Sequence, residues 1–308
     1  MTLNLFETPL ISVVIPTYNQ SDYLRMALKS VFNQTQTNWE VLIIDNNSTD
    51  DTAKVIEEFP KLRIRVFKVN NYGSIAISRN MGCAHARGEW IAFLDSDDMW
   101  SEDKLQICSK YFSQNVDLIY HDLKVINENT EIQAGRNINS RQVKKPVTLD
   151  LILKGNTVAT SSVVVRKTLI NAVGGMNEAP NLIGIEDYNT WLKISELTEG
   201  FKHIKKYLGY YRIHGANTSN EKPFSLPRAA VAEFLPSLSQ KEQARVEGNF
   251  LYTTARLTYL SKKDSGAINE LKKVIHSKYF FNVLKSFWML SVVFQLEILK
   301  KIRSKMGC

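Results

Sequence analysis

Three carboxylates within four residues are the strongest chemical signal in the sequence. Asp95, Asp97 and Asp98 follow the apolar run Trp90–Leu94, so a short strand would deliver them at its carboxyl end. Open α/β sheets bind their ligands at that edge. Clustered carboxylates repel one another unless a cation lies between them, and their hard oxygens suit Mg²⁺ or Mn²⁺ held against a diphosphate. The cluster predicts a metal–diphosphate site, and the alternative is a solvated acidic turn.

A second polar segment follows the first predicted strand, Ile11–Ile15, and it consists of Pro16, Thr17, Tyr18 and Asn19. It lacks the glycines of a dinucleotide-binding turn, and no phosphate-binding P-loop occurs in the sequence. These absences argue against a dinucleotide dehydrogenase and a P-loop nucleotidase. Tyr18 can stack on a base at this position, or it can be a partly buried tyrosine.

Two further charged residues lie close to predicted strand ends. Asp45 follows the strand Trp39–Ile44 and either accepts a hydrogen bond from a base or caps a turn into the next helix. Arg79 precedes the acidic cluster, where it can neutralise a diphosphate or solvate a helix face. Each residue alone is compatible with a purely structural role.

Strand and helix patterns alternate along the first hundred residues, which favours βαβ units and a parallel sheet. Strands are predicted over 11–15, 39–44, 64–69 and 90–94, and helices over 22–32 (capped by Ser21 or Asp22), 50–59 and 75–86. The second half predicts helices over 105–112, 147–153 and 187–195, strands over 117–121, 161–166 and 203–213, an irregular excursion over 127–147, and helices from 227 onward.

Five segments together resemble, in order and spacing, the family 2 glycosyltransferases. They are Ile15–Asn19, Asp45–Asp50, Ser78–Gly82, Gly88–Trp90 and Phe93–Asp98. The resemblance is dense over residues 9–100 and departs mildly at Asn47, where many members carry glycine. It implies the A-type glycosyltransferase fold, an α/β fold with a mostly parallel nucleotide-binding sheet flanked by helices, and here a C-terminal helical appendage follows it.

The same resemblance assigns expected roles to residues of the first half. The expected nucleotide-binding residues are Pro16, Thr17, Tyr18, Asn19, Asp45, Arg79, Asp95 and Ser96. Among them, Asp45 is expected to contact the base and Asp95 the ribose and the metal region. Asp97 is the expected principal ligand of Mn²⁺ or Mg²⁺.

In the second half, Glu186 and Asp187 begin a segment that resembles the family's E-D-x-x-x-W motif, ending at Trp191. In an inverting transfer an acceptor hydroxyl attacks the anomeric carbon, and a carboxylate must take its proton. A metal ion stabilises the departing diphosphate, so an acid residue is not needed. Asp187 is the expected general base and Glu186 the second candidate. The alternative is a helix start decorated with acids.

Downstream, Tyr211–His214 resembles the family's R-x-H ending. His214 is expected to complete the metal shell with Asp97 and Asp95, or else to contact the diphosphate, and imidazole suits Mn²⁺ better than Mg²⁺. A surface or core histidine is the alternative. Asn156-Thr157 and Gly174–Glu178 match the acceptor-side loops of the family.

The net charge of +8 is concentrated at one end of the chain. Residues 259–308 carry ten Lys and Arg against three Asp and Glu, whereas residues 1–100 carry nine against twelve. The tail over 283–302 combines aromatic and aliphatic residues with flanking lysines, which favours a helix lying on an anionic membrane surface over a nucleic-acid site. Its longest uncharged run, Ser286–Leu296, is shorter than the about 20 residues that span a bilayer. A buried packing helix or a homo-oligomer interface is the alternative.

These observations predict a catalytic domain over residues 1–222 and a helical region with a basic amphipathic tail over 223–308. Residues 1–100 are expected to form the nucleotide-sugar half and 101–222 the acceptor half. The expected activity is inverting, metal-dependent transfer from a nucleotide sugar, with UDP-sugars favoured, to a glycan or lipid-linked glycan in cell-surface polysaccharide synthesis. The expected location is cytoplasmic, on the inner face of the membrane. The alternative is a catalytically inactive nucleotide-sugar-binding scaffold of a glycan-assembly complex.

Overall fold

The computed structural model of the chain describes residues 10–113, 115–215 and 226–262. The predicted membrane-surface tail over 283–302 therefore lies outside the described residues. Within the described part, no helix has the length and apolar character needed to cross a bilayer. The chain divides into two compact units, of which the described parts are residues 10–151 with 155–215, and residues 152–154 with 226–262.

Parallel strands alternate with helices through the first half of the larger unit, as predicted. The elements are β1 (Ile11–Thr17), α1 (Ser21–Phe32), β2 (Trp39–Asp45), α2 (Thr52–Glu57), β3 (Ile64–Lys68), α3 (Ile75–His85) and β4 (Trp90–Phe93). β1 pairs in parallel with β2 and with β4, and β2 pairs in parallel with β3. Every residue of β1, β2 and β4 is buried, as expected for parallel strands covered on both faces.

The second half of this unit extends the same sheet with four antiparallel pairs and one parallel pair. Its elements are β5 (Met99–Trp100), α4 (Lys104–Ser109), β6 (Leu118–Ile126), β7 (Ile132–Ile138), α5 (Val147–Lys154), β8 (Val164–Arg166), α6 (Lys167–Ala172), α7 (Glu186–Leu197) and β9 (Phe201–Arg212). The parallel pair joins β6 to β9. The last three residues of α5 are assigned to the smaller unit. The sheet order is β3-β2-β1-β4-β8-β6-β9-β5, with β7 paired to β6. β8 pairs antiparallel with both β4 and β6, so it joins the two halves.

The smaller unit is helical where it is described, in agreement with the sequence pattern. It contains α8 (Leu226–Val231), a 3-10 segment over Ala232–Ser237, and α9 (Gln240–Lys262). The helices predicted beyond Lys262 lie outside the described residues.

Several predicted boundaries were wrong. The supposed irregular excursion over 127–147 contains β7, whose residues are mostly exposed and therefore lack a hydrophobic pattern. Neither Ser21 nor Asp22 caps α1, because the residue at the cap position is Gln20. The Ser21 amide donates to Asp50 Oδ2 at 2.9 Å. The helix over 50–59 is shorter at both ends, and the predicted strand over 161–166 begins only at Val164, after a 3-10 turn.

Pro16 lies inside β1, not at its boundary. The Val14 carbonyl accepts from the Leu94 amide, so Pro16, two residues further on, turns its nitrogen toward the same neighbour, β4. The β1–β4 pairing has ended by then, at Val14 and Phe93. A residue without an amide hydrogen therefore loses no ladder bond there.

Gly88, in the G-x-W segment, permits a close backbone approach. A Cβ atom at this position would lie 2.7 Å from the Ser12 backbone nitrogen and 2.8 Å from the Ile11 carbonyl carbon. Its own amide donates to Ser12 Oγ at 2.8 Å. The chain can thus enter β4 directly against the start of β1 only with glycine here.

Lys104, at the start of α4, is a buried cation within the hydrophobic core. Its ammonium lies 3.3 Å from the centroid of the Trp100 ring and has no hydrogen-bond partner among the described residues. Burial lowers the pKa of Lys104 to about 7 from an ordinary value of 10.5. Folding therefore requires the removal of a well-hydrated charge from water.

We expect Lys104→Met to stabilise the fold at pH 7 by about 1–4 kcal/mol, because Met fills the same space without a charge. Since the unfolded chain holds this proton up to about pH 10 and the folded chain releases it near pH 7, the gain should shrink as pH rises through that window. Urea unfolding at pH 7 and pH 10 measures it, with the exposed Lys110→Met as control. A pH-independent difference, or a less stable Lys104→Met protein, would contradict this prediction.

Candidate active site

One cavity of about 300 Å³ collects most of the predicted site residues. It lies at the carboxyl ends of β1 and β4, next to the start of α7. The predicted residues that line it are Pro16, Arg79, Asp95, Ser96, Asp97, Glu186 and Asp187. The fold therefore brings the acidic cluster of the first half and the acidic pair of the second half to one place.

Arg79 links these two acidic groups. Its Nη2 donates to Asp95 Oδ1 at 2.6 Å and its Nη1 to Glu186 Oε1 at 2.7 Å. The arginine side chain is 4% exposed and that of Glu186 is 5% exposed, whereas Asp95 is partly open at 27%. Although burial opposes it, the charges of both carboxylates raise the pKa of Arg79 above its ordinary value. Both Nη atoms of Arg79 are thus bonded to protein carboxylates. Arg79 was expected beside the nucleotide, and in the structure it links the two acidic groups at the wall of the cavity.

Glu186 and Asp187 are adjacent at the start of α7 but have different surroundings. Besides Arg79, Glu186 accepts from the Gly184 amide at 2.5 Å, so both of its oxygens are engaged. Burial raises the pKa of Glu186, and Arg79 partly offsets that effect. Asp187 is partly exposed and accepts from Thr160 Oγ1 at 2.9 Å. Asp187 suits the role of proton acceptor better than Glu186, because it is partly exposed and its hydrogen-bond donors are neutral, whereas Glu186 is buried against a cation.

The acidic loop after β4 divides its three carboxylates among different partners. Asp95 accepts from Arg79, and Asp97 Oδ2 lies 2.9 Å from His214 Nε2. Asp98 is fully buried, and its Oδ1 accepts from the Arg212 amide at 2.9 Å. Burial, together with the charges of Asp97 and Asp95, raises the pKa of Asp98 well above its ordinary value.

The pair of Asp97 and His214 suits a divalent cation. Two adjacent ligands of an ion bonded at about 2.1 Å are about 3.0 Å apart, close to the spacing of this pair. Among the described residues, no group of three or more His, Cys, Asp or Glu is placed to hold a metal. Mg²⁺-type sites commonly use one or two carboxylates and take the other ligands from water and phosphate. The residues present therefore fit an ion shared with a diphosphate, with Asp95 turned toward Arg79.

Arg212, the arginine of the R-x-H segment, fixes the end of β9 beneath this pair. It is fully buried, and its Nε donates to the Asp97 carbonyl at 2.9 Å. Its Nη1 donates to the Asn127 carbonyl at 2.9 Å and to Thr130 Oγ1 at 2.9 Å. The guanidinium thus fastens the acidic loop to the turn between β6 and β7.

Four residues expected in the nucleoside pocket do not line this cavity. Thr17 is buried and Tyr18 is 55% exposed. Asn19 adopts a φ of 48°, and its Oδ1 accepts from the Thr49 amide at 2.8 Å. Asp45 accepts from the Ser48 amide at 2.9 Å, which is the turn-capping alternative, and it lines a separate cavity of about 330 Å³ between α2 and β3.

Asn80, next to Arg79, holds the loop that resembles an acceptor-side segment. Its Oδ1 accepts from the Met176 amide at 2.7 Å, and its Nδ2 donates to the Met176 carbonyl and to Glu178 Oε1, both at 2.8 Å. Gly175 has a φ of 82°, and a Cβ there would lie 2.6 Å from Asn80 Oδ1. Two adjacent residues of α3 thus hold the second half of the site: Arg79 bonds to the first residue of α7, and Asn80 bonds to the loop that precedes α7.

Three polar cavity residues were missed by sequence reasoning. They are Gln20, Thr160 and Ser161. Gln20 Oε1 accepts from Ser96 Oγ at 2.6 Å, and Ser161 Oγ accepts from the Asp95 amide at 3.1 Å. Asp98 was visible in the acidic cluster, whereas these three gave no signal because their partners are distant in sequence.

We expect Arg79→Met to lower the free energy of unfolding by about 3–5 kcal/mol, because it leaves two carboxylates without their shared cation. Arg79→Lys should cost less, since it keeps the charge but cannot reach both partners in the same way. The exposed Arg87→Met is the control and should change stability by less than about 0.5 kcal/mol. Urea unfolding measures all three, and equal effects at positions 79 and 87 would refute the link.

Comparison with known proteins places this geometry in a family. Residues 12–167 match the model of glycosyl transferase family 2. The Escherichia coli enzyme UDP-Glc:alpha-D-GlcNAc-diphosphoundecaprenol beta-1,3-glucosyltransferase WfgD is 31% identical over 71% of this chain and 83% of its own length. The Bacillus subtilis putative teichuronic acid biosynthesis glycosyltransferase TuaG is 28% identical over 70% of this chain and 83% of its own.

The fold agrees with a solved structure as well. The crystal structure of S. aureus TarS 1-349 in complex with UDP-GlcNAc superposes with a TM-score of 0.65 at 21% identity, covering 87% of this chain and 81% of that chain. This likeness shows the A-type glycosyltransferase fold, as predicted. With the family match and the WfgD alignment, it follows that the chain belongs to glycosyltransferase family 2 and is a glycosyltransferase.

Proposed function

We propose that this enzyme transfers a sugar, with inversion, from a nucleotide sugar to a lipid-linked glycan in the synthesis of a bacterial cell-surface polysaccharide. The observation that carries the proposal is that Asp187 and Asp97 line the same cavity. Asp97 is also paired with His214. The relatives WfgD and TuaG, whose names refer to diphosphoundecaprenol and teichuronic acid, support the acceptor class. A UDP-sugar is the favoured donor, and a glycan without lipid is the second acceptor class.

In the proposed reaction Asp187 takes the proton of the acceptor hydroxyl as its oxygen bonds to the anomeric carbon. The bond from that carbon to the nucleoside diphosphate breaks, and the diphosphate keeps the electron pair. Asp97 and His214 would hold Mn²⁺ or Mg²⁺, which stabilises the negative charge of the leaving diphosphate when bound. Asp95, held by Arg79, and Ser96, held by Gln20, form the donor side of the cavity.

The proposal assigns regions of the chain as well. Residues 1–100 would bind the donor and 101–222 the acceptor, and 223–308 would attach the enzyme to the inner face of the membrane. Ten basic against three acidic residues over 259–308 support attraction to anionic lipid. A membrane acceptor is consistent with this placement.

We expect Asp187→Asn to lower kcat at least 100-fold, because a removed general base typically costs 10²–10⁴-fold. The affinity for UDP should stay within about twofold, since the donor groups remain in place. UDP release from UDP-glucose with α-D-GlcNAc-diphosphoundecaprenol as acceptor measures turnover, and calorimetry measures UDP binding. Glu196→Gln, an exposed acid on the same helix, is the matched control. Collapsed UDP affinity in Asp187→Asn would make Asp187 a donor-site residue.

Asp97→Ala should abolish the effect of Mn²⁺ on UDP binding. In wild-type protein we expect Mn²⁺ to tighten UDP binding at least about tenfold over EDTA, because an ion held by Asp97 and His214 would attract the negative diphosphate. In Asp97→Ala the two conditions should give equal affinities, whereas the exposed-site control Asp51→Ala should behave as wild type. Calorimetric titration of UDP decides this, and an undiminished Mn²⁺ effect in Asp97→Ala would refute the metal assignment.

A further inference from the structure

A short 3-10 turn, Thr160–Ser162, lies between the proposed base and the acidic loop. On one side Thr160 Oγ1 donates to Asp187 Oδ2 at 2.9 Å. On the other side Ser161 Oγ accepts from the Asp95 amide at 3.1 Å. Consecutive residues of one turn therefore contact the proton acceptor and the donor side of the cavity.

The turn is firmly held. Its three residues are buried, and the Ser161 carbonyl accepts from Trp100 Nε1 at 2.7 Å. Ser162 Oγ donates to the Ala159 carbonyl at 2.6 Å, and the Val163 amide donates to the Thr160 carbonyl at 3.0 Å. The Thr160 hydroxyl thus projects from a backbone that is fixed on both sides.

The carboxylate of Asp187 needs such a fixed partner. Its Oδ1 accepts from the Tyr188 amide at 2.6 Å, while Oδ2 has Thr160 at 2.9 Å and Asn156 Nδ2 at 3.5 Å. The terminal torsion of an aspartate is broad, so the plane of its carboxylate is set by its hydrogen bonds. A proton acceptor that rotates away from the acceptor hydroxyl loses the alignment on which transfer depends.

We propose that Thr160 is a positioning residue that orients the Asp187 carboxylate toward the acceptor hydroxyl. Through Ser161, the same turn sets the location of that carboxylate relative to the leaving diphosphate. The inference rests on the proposed role of Asp187 as the base. The charged groups that interact with Asp187 are Arg79 on α3 and Glu186 on α7 itself, whereas Thr160 is a neutral donor to its carboxylate.

The test compares Thr160→Val, which keeps the branched shape without a donor, with Thr160→Ser, which keeps the hydroxyl. Thr160→Val should lower kcat about 10- to 100-fold, a loss typical of a misplaced catalytic group. UDP affinity and the KM for UDP-glucose should stay within about twofold. Thr160→Ser should restore kcat to within about threefold of wild type. Thr160→Ala removes the same hydroxyl at smaller volume and should repeat the loss, while unchanged UDP binding confirms that each variant is folded.

Thr160→Val and Thr160→Ser are then each combined with Asp187→Asn. If Thr160 acts through Asp187, Thr160→Val should cause no further loss there. Any of four results would overturn the positioning role. The first two are full kcat in both Thr160→Val and Thr160→Ala, and equal losses of kcat in Thr160→Val and Thr160→Ser. The other two are a fall in UDP affinity that matches the fall in kcat, and an additive loss in the double variant. Unchanged kcat in Asp187→Asn would instead overturn the proposed base, so the two failures are distinguishable.

Discussion

The site depends on a guanidinium removed from water between two carboxylates. Arg79 is separated by 16 residues from Asp95 and by 107 from Glu186, yet it bonds to both within 2.7 Å. Each Nη atom of the buried guanidinium is bonded to a carboxylate, whereas Nε has no hydrogen-bond partner among the described residues. Without the arginine, Glu186 would be a costly unpaired charge, because its side chain is only 5% exposed. The chain must therefore fold so that the acidic loop after β4 and the start of α7 meet at α3. The donor side and the proposed base come together as a result.

Adjacent residues around the Arg79 ion pairs have different roles. Glu186 points to Arg79 while Asp187 faces the cavity, because successive residues of a helix are separated by about 100°. Asp97 meets His214, whereas Asp98 is buried and holds the Arg212 amide. In the same way, the Thr160 hydroxyl contacts Asp187, the proposed base, and the Ser161 hydroxyl contacts the acidic loop at Asp95. Each pair joins a residue available for chemistry to one that fixes its location.

The sequence predicts these strands and helices well where burial creates a pattern. β1, β2 and β4 are entirely buried and were found within two residues, whereas β7, an exposed strand, was missed. The resemblance supplied the identities of the cavity residues but not their partners. The Asp45 turn, closed by the Ser48 amide three residues further on, is local and was one of the two predicted alternatives. Nothing local in the sequence shows that Arg79 bonds to Glu186 or that Thr160 reaches Asp187. Those contacts are set by tertiary structure.

The most direct test of the account is nucleotide release by the wild-type enzyme across UDP-, dTDP- and GDP-sugars. Each donor is incubated with Mn²⁺ and α-D-GlcNAc-diphosphoundecaprenol, and with EDTA in place of the metal. We expect release from a UDP-sugar that requires both the metal and the acceptor. Absence of release from every donor, with UDP still bound, would contradict this expectation and would favour a nucleotide-sugar-binding scaffold.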